Sequence, residues 1–261
     1  PVVFQSIAMP GEAEAAFSIT TPFVPASNNE AGREILRGLL AVDAEDAATV
    51  RPHVLRRAWV SVDTAALAHN LRVLATLAGL GVDDVRVEVD GPEVPVLDGS
   101  AAPFVILLHE AGLRPLAVPR LHLRVKEPVE VVHGAKRARL VPSDHFEVAY
   151  SIGFDHPLLR HQAFALRVTP RSFTETIAPA RTFGFLREVE MLRKSGLALG
   201  GSLENAVVIG ETGVLNNKLR FEDEFVRHKI LDAVGDLALL GHPLAGRLEA
   251  TKAGHALHAA V

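Results

Sequence analysis

The chain has 261 residues, 48% hydrophobic and 22% charged, with a formal net charge of −4 and no cysteine. This is enough chain for one large domain or two small ones of ordinary globular composition, and the charge excludes a nucleic-acid surface over the whole molecule. With no thiolate available, any metal must rest on His, Asp or Glu. No apolar run is long enough for a stable membrane span and no secretory signal opens the sequence, so the expected setting is the cytoplasm. The first residue is Pro1, as in a fragment or a processed form.

In chain order, "FSITTPFVP" reads as a strand ending at Pro25, and Ser27 or Asn28 then caps a short amphipathic helix in "ASNNEAGREILRGLLAV". "RRAWVSVDTAALAHNLRVLATLAGLG" predicts a strand over 57–62, then a helix capped by Asp63 or Thr64 and stopped near Gly79. Val85, Val87 and Val89 alternate with Arg86, Glu88 and Asp90, the pattern of a half-buried strand. A helix around 101–112 follows, and "RPLAVPR" over 114–120 reads as a linker. The stretch after it alternates with Gly/Lys and Pro/Ser turns and predicts a β-meander. "RSFTETIAPARTFGFLREVEMLRKSG" reads as strand, loop and helix with Gly196 as its cap. A strand "NAVVIG", a hairpin-like "ETGVLNN", a long helix from near Glu222, and a final strand leading into a helix complete the chain. Segregated runs of strands and helices predict an α+β fold.

The stretch most suggestive of chemistry is "FVRHKILDAVGD", where His228, Asp232 and Asp236 recur every four residues with Lys229 beside the first. On a helix these lie on one face. One reading is a solvated face, since Glu222, Asp223, Glu224 and Arg227 are near. The other is a metal site: Phe225, Val226, Ile230, Leu231, Val234 and Leu237 bury the same helix, and buried charge needs a partner. Imidazole with carboxylate is a zinc donor set. His255 in "KAGHAL" offers a second imidazole for Asp236.

From about Thr76 onward the chain resembles the zinc-dependent UDP-3-O-acyl-N-acetylglucosamine deacetylases of lipid A synthesis. The shared stretches are "LAGLGVDDVRVEVDGPEVPVLDGSAAPF", "ARTFGFLREVEMLRKSGLALGGSLENAVV", "LRFEDEFVRHKILDAVGDL" and "KAGHAL". The resemblance implies two-layer domains of sheet on helices and Zn²⁺ held by His228 and Asp232. It also implies His255 as the cation that stabilises the oxyanion or protonates the leaving amine, with Asp236 orienting it. Lys229 and the Thr182 hydroxyl would hold substrate and developing charge. Phe183 and Phe185 would pack on sugar or acyl chain, and Phe154 and Lys136 would meet the nucleotide and its diphosphate. From the residues alone, the three phenylalanines read equally well as plain core.

One departure is large. The family's T-x-E-H motif supplies a third zinc ligand and a general base, and counting back from Gly79 those positions hold Leu71 and Arg72. His69, one helical turn before Arg72, is the candidate for a displaced ligand. Upstream, "RRAWVSVDTAALAHNLRVL" resembles the opening of alanine racemases, without the lysine that would hold pyridoxal phosphate, and residues 1–48 resemble a family of bacterial membrane proteins. The expectation is an unrelated segment over 1–52, a partial first deacetylase domain over 53–118 and a second over 119–261. The function expected is an impaired deacetylase acting as a monomer on a UDP-sugar, with a non-catalytic binding module as the alternative.

Overall fold

Leu244–Thr251 lies at the centre of the main sheet, and its neighbours decide the architecture. The computed structural model describes residues 2–3, 67–85, 87–89, 94–117, 119–187, 202–215 and 218–261. Their elements are β1 (Val2–Val3), α1 (Leu67–Leu80), β2 (Glu88–Val89), α2 (Ala102–Ala111), β3 (Leu123–Arg124), β4 (Val129–His133), β5 (Lys136–Val141), β6 (Phe146–Ile152) and β7 (Gln162–Arg167). After these come α3 (Pro170–Ser172, continued by a π-helical turn over Phe173–Ile177), β8 (Phe183–Phe185), β9 (Val207–Ile209), α4 (Glu224–Ala238), β10 (Leu244–Thr251) and α5 (His255–His258).

The fold is α+β, as expected, but the strands do not form a meander. The sheet order is β4-β5-β10-β6-β7, with β3 pairing the start of β10. The last strand inserts between β5 and β6, antiparallel to the first and parallel to the second. Alternation shows that a segment is a strand without showing which strand lies beside it. Residues 142–145 suffice to cross the ~10 Å that two strand spacings require.

The second correction concerns "RSFTETI", which is helical. The Thr169 hydroxyl accepts from the Ser172 N–H at 3.1 Å and the Ser172 hydroxyl accepts from the Thr169 N–H at 2.9 Å. This reciprocal cap, with Pro170 in the first turn, starts a helix despite the β-favouring Phe and Thr side chains. Phe173 and Ile177 are thereby buried. Helix α1 ends at Gly81, whose φ of +73° suits glycine, rather than at Gly79. Gly79 lies inside α1, where a Cβ would stand 2.4 Å from the Phe173 ring.

One hydrophobic cluster joins the layers. The sheet contributes Leu140, Val148, Ile152 and Leu248, α4 contributes Phe225, Val226, Ile230, Leu231 and Val234, and α1 and α2 add Val73, Leu77, Phe104 and Leu108. Each such side chain contributes about 1.5–3 kcal/mol on full burial. The cluster runs across the stretch read as a linker, which is itself irregular. Helix α1 crosses α4 closely: a Cβ on Gly235 would stand 2.5 Å from the Leu71 carbonyl oxygen.

The elements expected over 17–62, the helix beyond Arg187 with its cap at Gly196, and the side chain of His69 lie outside the described residues. Val2–Val3 pairs antiparallel with Glu88–Val89. Among the described residues no helix is long and apolar enough to cross a membrane.

Candidate active site

Helix α4 is anchored at its first residue. Glu224 is fully buried, and its carboxylate accepts from the Arg181 backbone N–H, Nε and Nη2 at 3.0, 2.9 and 3.1 Å, and from the Arg220 N–H at 2.7 Å. This overturns the solvated-face reading of that turn. Burial acts to raise the Glu224 pKa, but hydrogen bonds from Arg181 and then Arg220 outweigh it and hold the carboxyl below its usual range. The ion pair fastens the chain around Ala180–Arg181 to α4, one turn before His228.

The consequence is a fixed imidazole. His228 Nδ1 lies 3.0 Å from the Ala180 carbonyl, which can only accept, so Nδ1 carries the proton and Nε2 presents its lone pair. Nε2 is 3.4 Å from Asp232 Oδ1, and both side chains are largely buried. Desolvation depresses the His228 pKa and keeps the ring neutral. Lys229 Nζ donates to Asp232 Oδ2 at 2.7 Å. Burial pushes Asp232 up, but Lys229, His228 and His255 prevail and bring it to about 2.

One turn further on, Asp236 faces two imidazoles. His255 Nδ1 stands 2.8 Å and His258 Nδ1 2.6 Å from Asp236 Oδ2, while His258 Nε2 is 3.0 Å from the Tyr150 hydroxyl. The bond to Asp236 raises the His255 pKa, against the effect of burial. Burial opposes ionisation of Asp236, but the bonds from His255 and His258 lower its pKa.

His228, Lys229, Asp232 and His255 open into one cavity of about 540 Å³. Thr182, Phe183, Phe185, Phe154 and Lys136 line it too, together with Lys252 and Arg72. Nine of the ten residues expected from the sequence therefore share one cavity, and the tenth, Asp236, lies behind it holding His255. Phe183 packs edge-on against Phe225 with ring centres 4.9 Å apart, and Phe154 meets Phe185 at 5.7 Å. Phe183 and Phe185 are thus half core and half wall, whereas Phe154 is exposed and only walls the cavity. Leu71 is buried, while Arg72, on the next residue of α1, reaches into the cavity and donates to the Val96 carbonyl at 3.3 Å. Burial holds the Arg72 pKa below its ordinary value against the opposing pull of Asp232.

Do these residues suit a metal ion? The His228–Asp232 pair does: a lone pair and a carboxylate oxygen, both buried acceptors, converge, and the far side of the imidazole is held by a carbonyl as metal-bound histidines usually are. Asp236, His255 and His258 also form a group with ligand atoms within 4.8 Å of one another. There, however, both nitrogens of His258 are engaged, by Asp236 and by Tyr150. That chemistry is a hydrogen-bond chain.

The sequence alone does not single out His258, Tyr150 or Arg181, and it groups Glu224 with the surface acids. Extending the four-residue stripe back one turn from His228 reaches Glu224, and "HALH" places His258 one turn from His255. Nothing local marks Arg181 or Tyr150.

The site joins an imidazole–carboxylate pair and a carboxylate-held histidine in an aromatic-walled cavity on an α+β scaffold. The chain matches the family of UDP-3-O-acyl N-acetylglycosamine deacetylases over residues 23–261, and it belongs to that family. It is 55% identical over 190 residues to the UDP-3-O-acyl-N-acetylglucosamine deacetylase of Anaeromyxobacter sp. (strain Fw109-5), covering 72% of this chain and 62% of the relative. The same-named protein of Syntrophotalea carbinolica is 55% identical over 184 residues (70% and 60%), and that of Citrifermentans bemidjiense 54% over 187 residues (71% and 61%). The chain spans about three fifths of the length of these curated relatives. The family match takes in residues 23–75, the stretch whose local resemblances lie elsewhere.

Proposed function

We propose that the site is built for zinc-dependent hydrolysis of the N-acetyl amide of UDP-3-O-acyl-N-acetylglucosamine, a step of lipid A synthesis, and that in this chain the chemical step is impaired while substrate binding is retained. The observation that carries the reading is the convergence of His228, Asp232, Lys229 and His255 in one cavity with Thr182, Phe154, Phe183, Phe185 and Lys136 on its walls. His228 and Asp232 would hold Zn²⁺, which supplies Lewis acidity toward a carbonyl and a more acidic water. His255, kept cationic by Asp236, offers a proton to a departing amine or charge to an oxyanion. Lys229 adds a second cation and the Thr182 hydroxyl a donor. Lys136 and Lys252 give the cavity two ammonium groups suited to a diphosphate, and Phe154 offers a ring face to a base.

Impairment is supported by α1. Counted along the sequence, Leu71 and Arg72 stand at the positions that the family's Glu and His would take, and at these two positions the helix brings neither a proton acceptor nor a metal ligand. It brings a buried guanidinium into the cavity instead. A cation beside Asp232 competes with a divalent ion for the same carboxylate. Arg72 also favours the alternative reading, a UDP-sugar-binding module without turnover. We read the protein as a cytoplasmic monomer in which 53–118 form a partial first domain and 119–261 a second. The test is zinc stoichiometry by elemental analysis together with binding and turnover of the UDP-sugar. Binding with substoichiometric zinc and little turnover is expected, and no binding would remove the substrate assignment.

A further inference from the structure

A buried polar arrangement lies behind His255, outside the cavity. The side chain of His258 is fully buried, yet all its polar atoms are engaged: Nδ1 is 2.6 Å from Asp236 Oδ2, and Nε2 is 3.0 Å from the Tyr150 hydroxyl. Burial and the nearby charges of Asp232 and Asp236 raise the Tyr150 pKa, so its hydroxyl keeps its proton. In the neutral ring the directions follow. Tyr150 O–H donates to Nε2, Nδ1–H donates to Asp236 Oδ2, and His255 Nδ1–H donates to the same Oδ2 at 2.8 Å while lying 3.0 Å from Oδ1. His255 is left with Nε2 on the cavity side. The parts come from three separate elements, β6, α4 and α5. A buried donor or acceptor left unsatisfied there is unfavourable, so the arrangement holds as a unit.

We propose that His258 is a positioning residue: held by Tyr150, it shares Asp236 Oδ2 with His255 and so fixes how much of that carboxylate's charge is offered to His255. The proposal rests on the deacetylase reading only for its effect on turnover. A donor on one oxygen draws off charge that would otherwise go to the imidazole, and hydrogen bonds in such chains strengthen one another. Tyr150 therefore acts through His258, and His258 through Asp236. Besides these groups, His255 faces Asp232 and Lys229 of α4, with Lys252 and Lys136 on the same cavity.

The test is the titration of His255 by NMR on the full chain, with labelled histidine, in His258→Leu, His258→Asn and Tyr150→Phe. Losing the donor in His258→Leu leaves the carboxylate charge to His255 and should move its titration upward by about half a pKa unit or more. His258→Asn, whose amide can donate in place of Nδ1–H, should restore most of the wild-type value. Tyr150→Phe keeps the imidazole in place and should give a smaller upward shift, which keeps the idea testable if His258→Leu does not fold. If the enzyme turns over, His258→Leu should lower kcat with little change in KM. A His255 titration unmoved or lowered in folded His258→Leu overturns the proposal, as does one unmoved or lowered in Tyr150→Phe where His258→Leu does not fold. Because the readout needs no turnover, its outcome is separate from that of the deacetylase assignment.

Discussion

Arg181 and Glu224 form a buried pair in which the arginine donates three times, from its backbone N–H and two guanidinium nitrogens, at 2.9 to 3.1 Å. Breaking a buried pair by removing one partner typically costs about 3–5 kcal/mol, because the other charge is left unpaired. Glu224→Ala should therefore destabilise the chain by that order in denaturant titration. The sign with pH follows from the depressed Glu224 pKa. Its contribution is present above the ordinary glutamate value and is lost as pH falls through the lower, folded value. Glu224→Gln should flatten that acid limb of the wild-type stability curve.

Gly235 on α4 admits the Leu71 carbonyl of α1, and a Cβ there would meet backbone oxygen at 2.5 Å. Alanine is otherwise favoured over glycine inside a helix by about 1 kcal/mol. The clash involves backbone that cannot rotate away, so Gly235→Ala should instead destabilise, by about 1–3 kcal/mol. Thermal unfolding checks the sign. A gain in stability would mean that α1 does not pack on α4 as described.

The Asp236–His255 pair predicts a pH window. His255 has its pKa raised, chiefly by the hydrogen bond to Asp236, so its contribution is complete below the ordinary value of 6.5 and lost as pH rises through the raised one. Asp236 has its pKa lowered, so its contribution is present above 3.8 and lost as pH falls through the depressed value. Asp236→Asn should lower the unfolding midpoint most between these limits, with the difference from wild type narrowing on either side.

Much of this site was legible because helix geometry converts spacing into position. His228, Asp232 and Asp236 at intervals of four share a face of a helix, and the apolar residues between them argued for burial over a solvated face. What was not legible depends on distant partners. Glu224 looked like one more surface acid because Arg181 lies 43 residues away. His258 gained its role from Tyr150, 108 residues earlier. The sheet order escaped for a similar reason: strand alternation carries no record of its neighbour, so nothing in "GRLEATKA" said that it divides β5 from β6. The cap that turns "RSFTETI" helical, Thr169 with Ser172, was readable, but the β-favouring residues after it outweighed that signal.

Arg72 predicts a metal-affinity change that does not depend on catalysis. Replacing the guanidinium removes a cation from the neighbourhood of Asp232, and Arg72→Ala should tighten Zn²⁺ binding by roughly tenfold, or ~1.4 kcal/mol. Arg72→His should tighten it further if the imidazole can reach the ion. Equilibrium dialysis with Zn²⁺ measures both. Equal affinity in wild type and both variants would show that Arg72 does not oppose the metal.

We propose centrally that Leu71 and Arg72 leave the cavity without the family's base and third ligand at those two positions, and single-turnover kinetics on UDP-3-O-acyl-N-acetylglucosamine with saturating Zn²⁺ tests this most directly. General-base assistance is typically worth ~10²–10⁴-fold, so the unmodified chain should bind the UDP-sugar yet release acetate slowly or not at all. Leu71→Glu with Arg72→His should raise the rate. Turnover by the unmodified chain at the level of the double variant or above would contradict the account, because residues other than those of α1 would then be completing the site.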